Sequence, residues 1–148
     1  MAMTSLLRSL FKPTHDQMVG VIADALLEER WDVQREPIVG TVRPDIVAHG
    51  PEGATYVIEV KQGNAGANLG AVAQVEAYRN ALAREVGGEV KGVLVVAGDA
   101  PERLGAAAKG AGVELVRTES VDVGSVRDLL ARSGILGEPL ANGSISAA

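Results

Sequence analysis

The chain has 148 residues, of which 47% are hydrophobic and 22% charged, with a formal net charge of −5 and no cysteine. One domain of this length buries a core unaided, and its apolar content excludes wholesale disorder. The missing cysteines exclude a disulfide scaffold, thiolate metal ligands and thiol catalysis.

Apolar runs such as Val93–Ala97 are too short to cross a bilayer, and Met1–Phe11 has neither a sustained apolar core nor a cleavage site. A cytoplasmic protein without membrane contact is expected. Residues 1–13 read as an N-terminal arm, with Leu6, Leu7, Leu10 and Phe11 expected to pack on the domain or on a second copy. Thr14–Arg30 reads as a helix: Val19, Ile22, Ala23, Leu26 and Leu27 recur at helical spacing, and Thr14 follows Pro13 as an N-cap. Trp31–Val39, Arg43–His49 and Tyr56–Lys61 read as three strands of an antiparallel meander, the last two joined by the turn-rich His49-Gly50-Pro51-Glu52-Gly53. Gln62–Gly70 is a loop rich in Gly and Asn. Val72, Val75, Leu82 and Val86 then stripe a second helix that ends at Gly87-Gly88. Gly92–Ala97 is a strand buried on both faces, Pro101–Ala111 a helix, Val113–Arg117 a strand parallel to the previous one, and Val121–Ser133 a last helix. The domain covers 14–134, and 135–148 reads as a disordered tail. The order α-β-β-β-α-β-α-β-α describes one α/β domain with a mixed, α+β-type sheet.

Asp45, Glu59 and Lys61 carry the chemistry. Residues two apart on a strand share a face, so Glu59 and Lys61 point together with Val57, while Ile58 and Val60 point the other way. Pairing of the second and third strands brings Asp45 near Glu59 where those strands diverge. Two carboxylates suit Mg²⁺, with Mn²⁺ as its substitute, and a neighbouring ammonium offsets charge on a phosphoryl transition state. The array fits phosphodiester hydrolysis.

Pro44-Asp45 … Glu59-Val60-Lys61 resembles the PD-(D/E)XK motif of restriction-endonuclease-like nucleases, and the order of elements resembles their core. Gln74-Val75-Glu76-Ala77-Tyr78 is similar to the Q-x-x-x-Y motif of RecB-type members. Lys91–Val116 resembles the end of the catalytic domain in mismatch-specific endonucleases, and the first half is similar to archaeal-type Holliday junction resolvases. The resemblance spans roughly 14–117. It implies Asp45 and Glu59 as metal ligands, Lys61 as the catalytic lysine and Gln74 as a residue facing the site, with Tyr78 on the same helix face. For a further acid it favours Glu36, ahead of Asp16, Glu28 and Glu29. It also implies a homodimer acting on DNA in repair, recombination or defence, leaving 5′-phosphate and 3′-hydroxyl ends.

Arg35, Arg43, Lys61 and Arg79 are expected to give an otherwise acidic protein a local basic rim for DNA. Gly63, Gly66 and Gly70 lack the spacing of a phosphate-binding fingerprint, so no nucleotide cofactor is expected. His15 reads as a capping or surface histidine, with a general base as the less favoured role; His49 reads as a solvated turn residue and Trp31 as a core anchor. At 3% aromatic residues, the chain is poorly equipped to bind single strands by stacking. The alternative is a non-catalytic or partner-dependent module that keeps the fold as a DNA-binding or assembly unit.

Overall fold

The structure, a computed structural model, describes residues 14–51, 53–62, 69–98, 101–118, 123–132 and 135. The expected arm, most of the Gly-rich loop and the expected tail beyond Ile135 lie outside the described residues, while Ile135 itself is buried in the core. The elements are α1 (His15–Glu28), β1 (Asp32–Arg35), β2 (Ile46–His49), β3 (Thr55–Gln62), α2 (Leu69–Val86), β4 (Val90–Ala97), α3 (Glu102–Ala111), β5 (Val113–Thr118) and α4 (Val123–Arg132). They form one mixed α/β sheet in the order β1-β2-β3-β4-β5, in which β1, β2 and β3 pair antiparallel and β3, β4 and β5 pair parallel. Among the described residues no helix is long and apolar enough to cross a membrane.

The predicted α1 begins at a complete capping box: Thr14 Oγ1 accepts from the Gln17 amide at 3.1 Å, and Gln17 Oε1 accepts from the Thr14 amide at 2.9 Å. At the other end Arg30 takes a left-handed conformation (φ 66°), with the Trp31 amide donating to Leu26 and the Arg30 amide to Leu27. That arrangement more commonly uses glycine. The buried stripe Met18, Ile22 and Leu26 packs with Ile46, Ile58, Val60, Val93 and Val95 of the sheet and with Val126 and Leu130 of α4. Trp31 anchors this layer as expected, with its ring centroid 5.3 Å from that of Tyr56.

The opposite face carries α2 and α3. Val72, Val75, Leu94, Val96, Leu104 and Val113 form one cluster there, and Val39, Val47, Val57, Leu82 and Val90 a second. β4 is buried along nearly its whole length, as its apolar run predicts. Gly92 lets α2 approach closely, since a Cβ there would meet Val75 Cγ1 at 2.7 Å.

The first strand is shorter than its sequence suggests. Pairing stops at Arg35 because Glu36 turns into the left-handed region (φ 51°) and Pro37 has no amide to donate. The chain continues into a tight hairpin in which Val39 and Val42 exchange two backbone hydrogen bonds at 2.9 and 3.0 Å. β2 likewise begins at Ile46, three residues later than expected.

Candidate active site

The site lies in the break between β2 and β3. The ladder ends at Ile46↔Ile58, and one further step of that register sets Asp45 opposite Glu59. Two backbone amides are left there without ladder partners, and each is taken by a carboxylate of the other strand. The Asp45 amide donates to Glu59 Oε1 at 3.1 Å, and the Val60 amide donates to Asp45 Oδ2 at 2.8 Å. Unpaired buried amides are costly, so these carboxylates replace hydrogen bonds that the diverging strands no longer supply. Both acids are buried, Asp45 at 8% and Glu59 at 4% exposure.

Two side chains bracket the acidic pair. Lys61 Nζ lies 3.6 Å from Glu59 Oε2, on the same face of β3 as the period-two pattern requires. These residues stand on the central strand with Glu59 enclosed, not on an exposed edge. On the other side His15 Nε2 lies 3.0 Å from Asp45 Oδ2. The sequence reading as a capping or surface histidine is therefore corrected: His15 is the first residue of α1, and it reaches past the end of the sheet into the site. Its Nδ1 lies 3.5 Å from the exposed Asp16.

Burial pushes the Glu59 carboxyl up to about 8, reinforced by the hydrogen bond and charge of Asp45 and opposed by Lys61 and the Asp45 amide. Burial lowers the His15 imidazole, but the hydrogen bond and charge of Asp45, with a contribution from Asp16, outweigh it and raise the group above its usual 6.5. Tyr78 is raised by burial and then by the charge of Glu59, against its hydrogen bond to Gln74. Gln74 Nε2 donates to Tyr78 Oη at 2.7 Å, the four-residue spacing placing both on one face of α2, as expected. The Tyr78 side chain thus belongs to the electrostatic surroundings of the two acids.

The remaining expected residues are placed less centrally. Glu36 is exposed and turned toward Arg43, whose Nη2 lies 3.7 Å from its carboxylate and whose Nε donates to its carbonyl at 3.2 Å. It serves the site through its backbone, the Glu36 amide donating to the Asp45 carbonyl at 2.8 Å. Among the described residues no group of three or more His, Cys, Asp or Glu is arranged to hold a metal ion, so a full ligand set with Glu36 is not formed. Glu28 pairs with Arg127 at 2.8 Å. Glu28 and Glu29 lie at the far end of α1, roughly 20 Å from His15 at 1.5 Å per residue.

Arg35 and Arg43 are exposed beside the strand break, with the Arg35 guanidinium over Gly20 of α1. Arg79 departs from the expected rim. Its guanidinium donates to the carbonyls of Ala111 and Gly112 at 3.1 and 3.2 Å, occupying it at the C-terminal end of α3, where unpaired carbonyls attract a cation. His49 is also not a free turn residue, its Nδ1 lying 3.1 Å from Thr55 Oγ1 across the β2–β3 ladder.

No family model and no curated protein matches the sequence. Solved structures do. A repair endonuclease from Pyrococcus abyssi superposes with a TM-score of 0.62 at 25% identity, over 74% of this chain and 48% of that one. The chain is similar in fold to a repair endonuclease. EndoMS in complex with double-stranded DNA matches with a TM-score of 0.52 at 24% identity, over 66% of this chain and 45% of that one. A protein of unknown function matches at 0.55 and 18% identity, over 74% and 64% of the two chains. The chain spans about half the length of the two endonucleases.

Proposed function

We propose that this chain is a metal-dependent DNA endonuclease of the PD-(D/E)XK type, acting in DNA repair. The observation that carries the reading is the buried pair Asp45–Glu59, each acid pinned by a backbone amide of the other strand, with Lys61 Nζ at 3.6 Å from Glu59. The likeness in fold to a repair endonuclease supports it.

The donor set fits Mg²⁺, with Mn²⁺ as substitute. Each carboxylate has one oxygen engaged by an amide of the other strand, and two carboxylates side by side are a donor set that a divalent cation would take up. When bound, such a cation polarises the scissile phosphate and makes water more acidic. Asp45 and Glu59 would hold it, their carboxylates being positioned by the two amides. Lys61 orients the attacking water and offsets charge developing on the phosphoryl oxygens. Gln74, its amide nitrogen donating to Tyr78, would face the substrate from α2, and Arg35 and Arg43 would contact the DNA backbone from the rim. In the reaction a water oxygen bonds to phosphorus and the P–O3′ bond breaks, leaving a 5′-phosphate and a 3′-hydroxyl. A homodimer would set two such sites on the two strands.

The test is cleavage of labelled plain, mismatched, four-way-branched and single-stranded DNA by wild type and Lys61→Ala, in Mg²⁺, Mn²⁺ and EDTA. Cleavage that needs the cation and is lost in Lys61→Ala supports the proposal, and the preferred substrate defines the repair task. Absence of cleavage on every substrate, with the cation bound, would instead favour the partner-dependent module.

A further inference from the structure

We infer that Ile38 is an apolar wedge that enters the base stack of duplex DNA beside the cut; the inference rests on the proposed nuclease reading. Ile38 is 78% exposed, well above Leu27 at 53% and Leu69 at 51%. It stands on the hairpin that leaves β1 and returns through Asp45. The Val39↔Val42 bridge lies four steps beyond Arg35↔Ile46 in the same register, which sets Glu36 opposite Asp45, Pro37 opposite Pro44 and Ile38 opposite Arg43. The two prolines face each other and neither has an amide to donate, so the ladder opens there and closes again at the tip. At the tip Val39 and Val42 exchange two backbone hydrogen bonds around Gly40 and Thr41, with Gly40 at a φ of 61°.

The hairpin is braced and one-sided. Val39 is buried among Val47, Val57, Leu82 and Val90, with Val42 packed against them, which pins the tip to the sheet and to α2. Neighbouring residues of an extended strand point opposite ways, so Ile38 and Arg43 are turned outward, and both are exposed. A lone exposed apolar residue is ordinary on a protein surface. Here the backbone is braced beside it, the strained Glu36 (φ 51°) starts the excursion, and a cation stands across from it. The Arg43 guanidinium lies 3.7 Å from the Glu36 carboxylate; that pair is exposed on both sides and weak, so the cation can turn to a phosphate instead. The Glu36 amide donates to the Asp45 carbonyl at 2.8 Å, so the hairpin is rooted in the site. Two residues beyond Glu36, the Ile38 Cα stands at most roughly 13 Å from that of Asp45. Bases stack roughly 3.4 Å apart, so a wedge there enters within about four steps of a phosphate held at Asp45. Isoleucine is among the side chains that open a base step in this way. Opening a step is costly, and less so where the stack is already broken, so Ile38 matters most on fully paired DNA.

The experiment uses the full chain and compares wild type, Ile38→Ala, Ile38→Phe and Leu27→Ala, the last an exposed apolar residue on α1. Cleavage is measured on a fully paired duplex and on the same duplex with one mismatch near the cut. Base opening is read in the Lys61→Ala background, on duplexes carrying the fluorescent base 2-aminopurine at successive steps. Ile38→Ala should lower kcat/KM on the paired duplex about tenfold and on the mismatched one much less, with Ile38→Phe and Leu27→Ala near wild type. The 2-aminopurine signal should rise at one step within about four of the cut and be lost in Ile38→Ala. Melting of the variants should match wild type, since Ile38 is not buried. Equal losses on the two duplexes, no opening at any step, or wild-type cleavage by Ile38→Ala would each overturn the wedge while leaving the nuclease reading in place. So would sedimentation showing that Ile38→Ala splits a dimer, which would assign the side chain to an interface between copies. A wild-type chain that neither cuts nor binds any duplex overturns both.

Discussion

The two halves of the sheet solve different problems with the same backbone. In the parallel half, β3, β4 and β5 are joined through α2 and α3, the registers run without interruption and the packed positions are apolar. In the antiparallel half the strands separate after Ile46↔Ile58, and two carboxylates take the hydrogen bonds that the ladder drops. The lesson is that acids are tolerated inside this fold where the backbone itself needs acceptors. β3 belongs to both halves, apolar toward its start and carrying Glu59 and Lys61 toward its end.

Lys61→Ala should separate the halves most sharply. We expect a loss of roughly 10²- to 10³-fold in kcat on the preferred DNA with melting within a few degrees of wild type, measured by single-turnover cleavage alongside calorimetry. Leu94→Ala is the converse, a cavity in the parallel half. It should cost about 3 kcal/mol, roughly 10 °C in Tm, while kcat well below the new Tm stays near wild type. Gly92→Ala should destabilise by about 2 kcal/mol through the clash with Val75 Cγ1, and adding Val75→Ala should cost less than the sum of the two changes in urea unfolding.

Glu59→Gln should move in the opposite direction. The Glu59 carboxyl, near 4.5 when unfolded and pushed to about 8 in the fold, holds its proton more tightly in the folded state. Below 4.5 both states are protonated and there is no penalty. Between 4.5 and about 8 the unfolded chain is ionised first, so stability falls as pH rises, and above that window the full cost of burying the charge is present. Cation-free Glu59→Gln should therefore melt about 5 °C above wild type at pH 8 and lose that advantage as pH is lowered toward 4.5. A scan showing no pH-dependent difference would count against the strained-pair picture. The smallest effect belongs to Arg127→Ala, which removes the exposed pair with Glu28 and should cost no more than about 0.5 kcal/mol.

The sequence made some of this architecture legible because the signals are local. Thr14 and Gln17 define a helix start within four residues, the stripe of α1 follows one period, and the run Gly92–Ala97 marks a buried strand without reference to anything else. Asp45 facing Glu59 could be read because a short turn joins their strands and register then follows. The contact of His15 spans thirty residues and depends on how α1 docks, which no local period encodes. One signal was present: a capped helix start fixes the direction of its first side chains. The contacts of Arg79 are non-local in the same way, since its carbonyl partners lie more than thirty residues further along the chain. Glu36 looked like a strand acid because alternation shows spacing and not the left-handed turn that directs its carboxylate to Arg43.

The hydrogen bond from the Val60 amide to Asp45 also constrains how such a chain can drift. Alanine or valine at 45 would remove the acceptor and leave a buried donor stranded in the central strand, so loss of chemistry and loss of fold would arrive together. Asparagine keeps an oxygen in reach of that amide and surrenders only the charge. On the proposed nuclease reading, a descendant that gave up cutting but kept its shape would therefore carry Asn at this position, and its residue 45 would still record what the ancestral acid did for the backbone.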